Sequence, residues 1–284
     1  MSEDAVASIP LETLHFDTSL SLQSKVWDCK NQFGDSPIAA FYNYRRGMEQ
    51  ALIIINAEVD DQGQLISASP VTERMVTALR KGISTYSPHA NVEISSVGTL
   101  WSKNSRKERK SVPIYCPLTI QLPEDFDFPA RKIYAACRDI PSRRRWVESK
   151  LGFKTSVGDS WLGHLWLPII LTKDKPLFTN IIGEGALPNF YEQPIDFPYN
   201  KLKPLHNLAT DLLESLSATP AVYLLQFSLY SNEIVFDRLW PFPAAPAMAS
   251  LKTPGIDLYS CHWLCLTGKT IPELEQINTI MPIS

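Results

Sequence analysis

Twenty-two prolines against twelve glycines invert the usual order of these two residues, and this imbalance most limits what the chain can fold into. Each proline fixes its own φ and pushes the residue before it toward extended backbone. The chain is therefore punctuated mostly by stiff turns and extended X-Pro steps rather than by glycine loops. Hydrophobic residues at 44% and charged residues at 20% of 284 positions supply a buried core and exclude a disordered, collagenous or coiled-coil chain. The length suits one large domain or two smaller ones. The expected division is an α+β region over 1–154, with a basic segment at 101–154, and a second α+β region over 155–284, the two being either separate or continuous.

Periodicity places the elements. Ala51–Val59 and Gln64–Ser67 flank Asp60-Asp61-Gln62-Gly63 as a hairpin, and Ser69 with Pro70 opens a helix carrying Val71, Met75, Val76 and Leu79 up to Gly82. Strands are expected at Val92–Leu100 and Val112–Leu122. Pro129 and Ser142 each start a short helix, the second closed by Gly152. Trp161–Leu171 reads as a strand, placed at a sheet edge by Pro168. Leu208, Leu212, Leu213 and Leu216 mark one face of a helix over Leu205–Leu216. Ala221–Leu229 and Glu233–Leu239 form a second hairpin, and Gly255–Thr267 reads as one more strand. The expected class is α+β, with mostly antiparallel sheets built from hairpins and three to five helices.

Glu3 and Asp4 stand where an export signal would carry basic residues, and no apolar run approaches the roughly 20 residues of a membrane span, so a soluble cytoplasmic protein is expected. The five cysteines, at 29, 116, 137, 261 and 265, are an odd and scattered set that suits free buried thiols better than disulfides.

Several motifs approach a chemistry and fall short of it. Thr267-Gly268-Lys269-Thr270 ends like a phosphate-binding P-loop, but Trp263 stands where its first glycine belongs, and Thr270 with Glu273 makes a capping box instead. Gly158-Asp159-Ser160 resembles a hydrolase nucleophile segment without the glycine two residues after the serine; His164, His206 and His262 are its candidate bases. On a strand, Cys261 and Cys265 would lie about 13 Å apart with His262 on the opposite face, which excludes a shared zinc. His206 falls in the first turn of its helix, where the dipole favours a neutral ring. No metal, cofactor or catalytic residue is assigned.

Charge is segregated along the chain. Between Trp101 and Lys154 there are 13 Lys and Arg against 6 Asp and Glu, while the remainder has 14 against 24. Arg143-Arg144-Arg145 at a helix start, beside the stacking face of Trp146, and Arg106, Lys107 and Arg109 in a polar loop form the candidate anion or nucleic-acid site. The reading that follows is a non-catalytic accessory protein whose basic patch engages an anionic partner, RNA first or an acidic protein surface. Two alternatives stand beside it. One is an enzyme, either a hydrolase using Ser160 with a histidine or a transferase holding a phosphorylated metabolite. The other is a protein-assembly factor docking through the uncharged strip 240–246, with Trp240 and Phe242 as contacts.

Overall fold

The computed structural model describes residues 49–272 except 61, 102–111, 159–162 and 188. The chain enters on β1 (Gln50–Ile55), whose Ala-Leu-Ile-Ile-Ile run is buried throughout. A continuous apolar run of this kind suits a parallel strand covered on both faces. A small hairpin follows, β2 (Glu58–Val59) with β3 (Leu65–Ser67), and then α1 (Pro70–Tyr86), with Ser69 Oγ accepting from Thr72 N as its N-cap. Next come β4 (Asn91–Ser96), α2 (Val97–Trp101) and β5 (Ile114–Pro117). β1 lies between β4 and β5 and is parallel to both.

Two helices lead to the larger sheet, α3 (Arg131–Arg138) and α4 (Ile140–Trp146). The second runs on as a π-helical turn over Val147–Leu151 and ends at Gly152, which is left-handed at φ 71°. Then follow β6 (Lys154–Thr155), β7 (Leu165–Leu171), β8 (Pro176–Phe178), β9 (Ile182–Glu184) and β10 (Tyr191–Glu192). After α5 (Tyr199–Ser215) come β11 (Ala221–Tyr230) and β12 (Glu233–Trp240). A 3₁₀ segment at Ala245–Lys252 and α6 (Leu258–Thr267) complete the described chain. This sheet runs β10-β9-β7-β11-β12-β6, with β8 also on β7, and is mixed: β6 is parallel to β12 and the other pairs are antiparallel. Ser231 and Asn232, both at positive φ, make the two-residue turn of the β11–β12 hairpin.

Side chains alternate across β11 and divide two apolar clusters. Val222 and Leu224 face α6 and the parallel sheet; Tyr223, Leu225 and Phe227 face α5 and its Leu205, Leu208, Leu212 and Leu213.

The α+β class holds, but the sheets are not mainly hairpins. Of the three described sheets, the β4-β1-β5 sheet is wholly parallel, the largest is mixed and β2–β3 is a two-stranded hairpin, and there are more α-helices than the three to five expected. Three local expectations account for the difference. Ala51–Val59 is not one arm of a hairpin: β1 stops at Ile55, and only Glu58 and Val59 pair with β3. Gly255–Thr267 contains no strand. Its residues Leu258–Cys265 are buried on every side of a helix capped by Asp257, whose Oδ1 accepts from Tyr259 N and Ser260 N. β7 is central rather than an edge, and Pro168 is tolerated where its partner on one side changes from β9, which pairs at 165–166, to β8, which pairs at 169–171.

Gly82 does not end α1. It lies inside the helix where α6 crosses, and a Cβ there would meet Ser260 Oγ at 2.9 Å and Ser260 Cα at 3.0 Å. Gly82→Val is expected to destabilise the protein by about 1–3 kcal/mol through overpacking. Urea unfolding measures it, and a variant as stable as the parent would show that the two helices separate freely.

Candidate functional site

The strand polarity of the small sheet sets where a ligand belongs. From β1 the chain passes to β4 on one side and then crosses to β5 on the other, so connections diverge between the carboxyl ends of β1 and β5. In open parallel sheets such a point leaves a ligand crevice. Exposed Asn56 follows β1 here, and buried Leu118 follows β5, its N–H donating to Ile54 O at 2.8 Å. Tyr134 ties this end to the larger sheet: its one hydroxyl proton is shared between Pro117 O, at 3.0 Å, and Pro241 O, at 3.2 Å. Burial pushes this phenol well above its ordinary pKa, so it stays a donor.

Pro241 directly follows Trp240, and there the larger sheet presents a polar seam. Gln226 on β11 pairs with Arg238 on β12, and the register shifts immediately afterwards to Phe227 with Phe236. Asp237 is the extra residue of this bulge, which re-aims its neighbours as bulges do. It is 2% exposed, and one Oδ1 accepts a short contact from Arg144 Nη2. Arg144 also donates from Nε to Asp237 O at 3.0 Å and from Nη1 to Gly158 O at 2.6 Å. Gln226 Nε2 donates to Gly163 O at 2.6 Å and its Oε1 accepts from Trp240 Nε1 at 2.9 Å. A Cβ on Gly163 would come within 2.6 Å of Gln226 Cγ and 2.9 Å of Asp237 Oδ2, so the seam is closed by backbone.

Arg238 completes the seam. Its Nε is buried without a hydrogen bond, 3.6 Å from Asp237 Oδ1, and its guanidinium carbon lies 5.9 Å from the Trp240 ring centroid. Two guanidiniums, Arg144 and Arg238, thus share one carboxylate, leaving one positive charge without a second acid among the described residues. Such a group favours an anionic partner.

A cavity of about 470 Å³ lies elsewhere, lined by Lys173, Lys175, Lys269, Thr172, Thr270 and Gly268 among others. Lys269 Nζ there binds Glu49 at 2.9 Å, along with Ser87 Oγ and Tyr86 O. Glu49 precedes β1, so this cavity opens at the amino ends of the parallel strands, away from the crevice. It is lined by Gly268, Lys269 and Thr270 of the P-loop-like stretch, which follow a helix rather than a strand: Gly268 is the left-handed C-cap of α6. We place the site at the seam.

The residues expected to bind phosphate are dispersed. α4 begins at Ile140 with Asp139 as its cap, so the arginines lie beyond the first turn and the dipole does not oppose them. Arg144 is buried against Asp237. Arg143 is half-buried over the Trp146 ring at 5.7 Å, its Nε without a hydrogen bond. Arg145 is exposed and donates to Ser142 Oγ at 2.8 Å, and Trp146 is half-buried against the second cluster. Arg106, Lys107, Arg109, Ser160 and Glu273 lie outside the described residues. His164 is exposed. His206 stacks on Phe178 at 4.0 Å in the second turn of α5, and burial, rather than the helix terminus, lowers its pKa. Phe242 is 3% exposed and Trp240 half-buried, so the strip 240–246 covers the core and offers no docking rings. Cys116, Cys137, Cys261 and Cys265 are free and buried.

No family model matches the sequence, and no curated protein matches it. Solved structures do. Glycinamide-RNase-transformylase T from Mycobacterium tuberculosis aligns over 78% of this chain and 80% of its own, at 13% identity and a TM-score of 0.56. N5-carboxyaminoimidazole ribonucleotide synthetase from Thermotoga maritima aligns over 79% and 77%, at 9% identity and 0.56. The Aspergillus clavatus N5-carboxyaminoimidazole synthase, solved with ADP and 5-aminoimidazole ribonucleotide, aligns over 79% and 78%, at 8% identity and 0.56.

The chain shares their fold. This overturns the expectation of a non-catalytic RNA-binding accessory protein with RNA or an acidic protein as partner: its structural neighbours are a transformylase and N5-carboxyaminoimidazole synthetases, one solved with ADP and 5-aminoimidazole ribonucleotide, and the middle arginine of the supposed RNA patch is bound internally. The docking-factor alternative falls with the burial of its strip, while the Ser160 alternative rests on a residue outside the described ones. Among the described residues, no helix is long and apolar enough to cross a membrane. The seam was missed because its residues come from positions 144, 226, 238 and 240, and the adjacent Asp237-Arg238 was its one visible trace.

Proposed function

We propose that this chain is a nucleotide-binding protein on a scaffold of the ATP-grasp type, taking an adenine nucleotide in the crevice between the carboxyl ends of β1 and β5 and the Gln226–Arg238–Trp240 seam. The observation that carries this reading is the Arg238 guanidinium, which has no hydrogen-bond partner among the described residues and lies on the strand whose following residue, Pro241, is tied through Tyr134 to the carboxyl end of β5. Support comes also from the neighbours, of which three N5-carboxyaminoimidazole enzyme structures were solved with ADP. A reducing, cytoplasmic setting fits the four free buried thiols.

Phosphoryl transfer from ATP ordinarily employs Mg²⁺, held by one or two carboxylates together with the phosphates. The seam does not fit that ion. Its carboxylate, Asp237, already faces two guanidiniums, and among the described residues no group of three His, Cys, Asp or Glu is placed to hold a metal.

Thermal unfolding with ATP, ADP and 5-aminoimidazole ribonucleotide tests the reading. A ligand at about 100 times its Kd is expected to add about 2.7 kcal/mol to stability, with a matching rise in Tm. If none of the three raises Tm at millimolar concentration, with or without Mg²⁺, the reading is wrong.

A further inference from the structure

We infer that the Arg238 guanidinium holds a phosphate group of the ligand directly, so that this chain binds its nucleotide without a divalent cation; this rests on the nucleotide reading above. A metal ion bound with nucleotide must be placed beside the phosphates and given hard oxygen ligands. Among the described residues, most oxygens at the seam are otherwise engaged. Asp237 Oδ1 bonds Arg144 and lies 3.6 Å from Arg238, Gln226 Oε1 accepts from Trp240, and the Gly163 and Gly158 carbonyls accept from Gln226 and Arg144. A dication would have to displace these contacts and sit beside two fixed positive charges, which repel it.

Arg238 supplies what such an ion would. No described residue accepts a hydrogen bond from its guanidinium, although its side chain is only 21% exposed. Trp240 beneath it restrains the planar group, and the Trp240 indole is itself fixed by its bond to Gln226. A planar fork held in this way is preorganised for two parallel bonds to phosphate, and Arg rather than Lys suits that geometry. The arrangement also sets a preference: Mg²⁺ complexed to ATP reduces the charge that Arg238 receives and must be shed on binding.

Calorimetric titration of the full chain with ATP and ADP, in EDTA and again in excess Mg²⁺, decides the matter. In EDTA the parent protein is expected to bind at least as tightly as with Mg²⁺, and Arg238→Gln, shown folded by its thermal transition, is expected to lose tenfold or more. Binding that appears only with Mg²⁺ overturns the inference and leaves the nucleotide reading standing. Unchanged affinity in folded Arg238→Gln likewise removes the assignment. Failure of both nucleotides in both buffers instead condemns the nucleotide reading itself. The EDTA comparison on the parent protein stands even if the variant does not fold.

Discussion

Asp237→Ala is expected to cost the folded protein about 3–5 kcal/mol, a large share of the roughly 5–15 kcal/mol that holds a chain of ordinary stability. The carboxylate is buried, and it is the acid paired with the Arg144 guanidinium, whose side chain is itself only 10% exposed. Removing it leaves Arg144 its two carbonyl acceptors, Asp237 O and Gly158 O, but no counter-charge, with Arg238 adding repulsion from the same side. The loss therefore reports an uncompensated buried cation rather than the net worth of the pair. The double variant Arg144→Met with Asp237→Leu separates these quantities: it removes both charges, fills similar volume and should regain most of the stability. Urea unfolding of the parent, the single and the double variant measures this. A single variant within 0.5 kcal/mol of the parent would mean that water reaches the pair.

Acidification should destabilise the protein through His262. Burial in α6 lowers this imidazole to about 3 from its ordinary 6.5. Val222 N–H donates to its Nδ1 at 3.1 Å, which puts the proton of the neutral ring on Nε2, a buried atom without a hydrogen-bond partner. Below pH 6.5 the unfolded chain takes up a proton that the folded chain refuses until about pH 3. The contribution is thus complete above 6.5 and lost as pH falls toward 3, at about 1.4 kcal/mol per unit. Carboxylates titrate in the lower part of this window, so the comparison is with His262→Gln, whose amide oxygen can still accept from Val222. Between pH 7.5 and 5.0 the parent should lose about 2 kcal/mol more than the variant. Parallel stability curves for the two proteins would show that the imidazole is not held neutral.

Local chemistry was legible where local residues sufficed. Ser69-Pro70 at the start of α1, Gly152 as a left-handed helix end, and the β11–β12 hairpin around Ser231-Asn232 all follow from backbone preferences that neighbours express within a few positions. α6 did not, because a helix buried on all sides has no polar face. Its apolar run carries no 3.6-residue period and reads equally well as a strand. The two charged regions misled for a different reason. Arg144 and Asp237 stand 93 positions apart, in the basic and the acidic parts of the chain respectively, so counting charge by segment recorded an excess where the fold has a pair.

What the amino-acid order determined by itself was the α+β class, most element positions and the burial of the four described thiols, since these depend on short-range propensity and on hydrophobicity. Tertiary structure alone decided that β1 pairs in parallel with β4 and β5, that Pro168 sits in a central strand, and that Gln226, Arg238 and Trp240 meet on a strand pair whose Pro241 is tied through Tyr134 to the carboxyl end of β5. Pairing partners and bulge registers are choices among distant segments of nearly equal local preference. Packing settles them, and the seam exists only after it has done so.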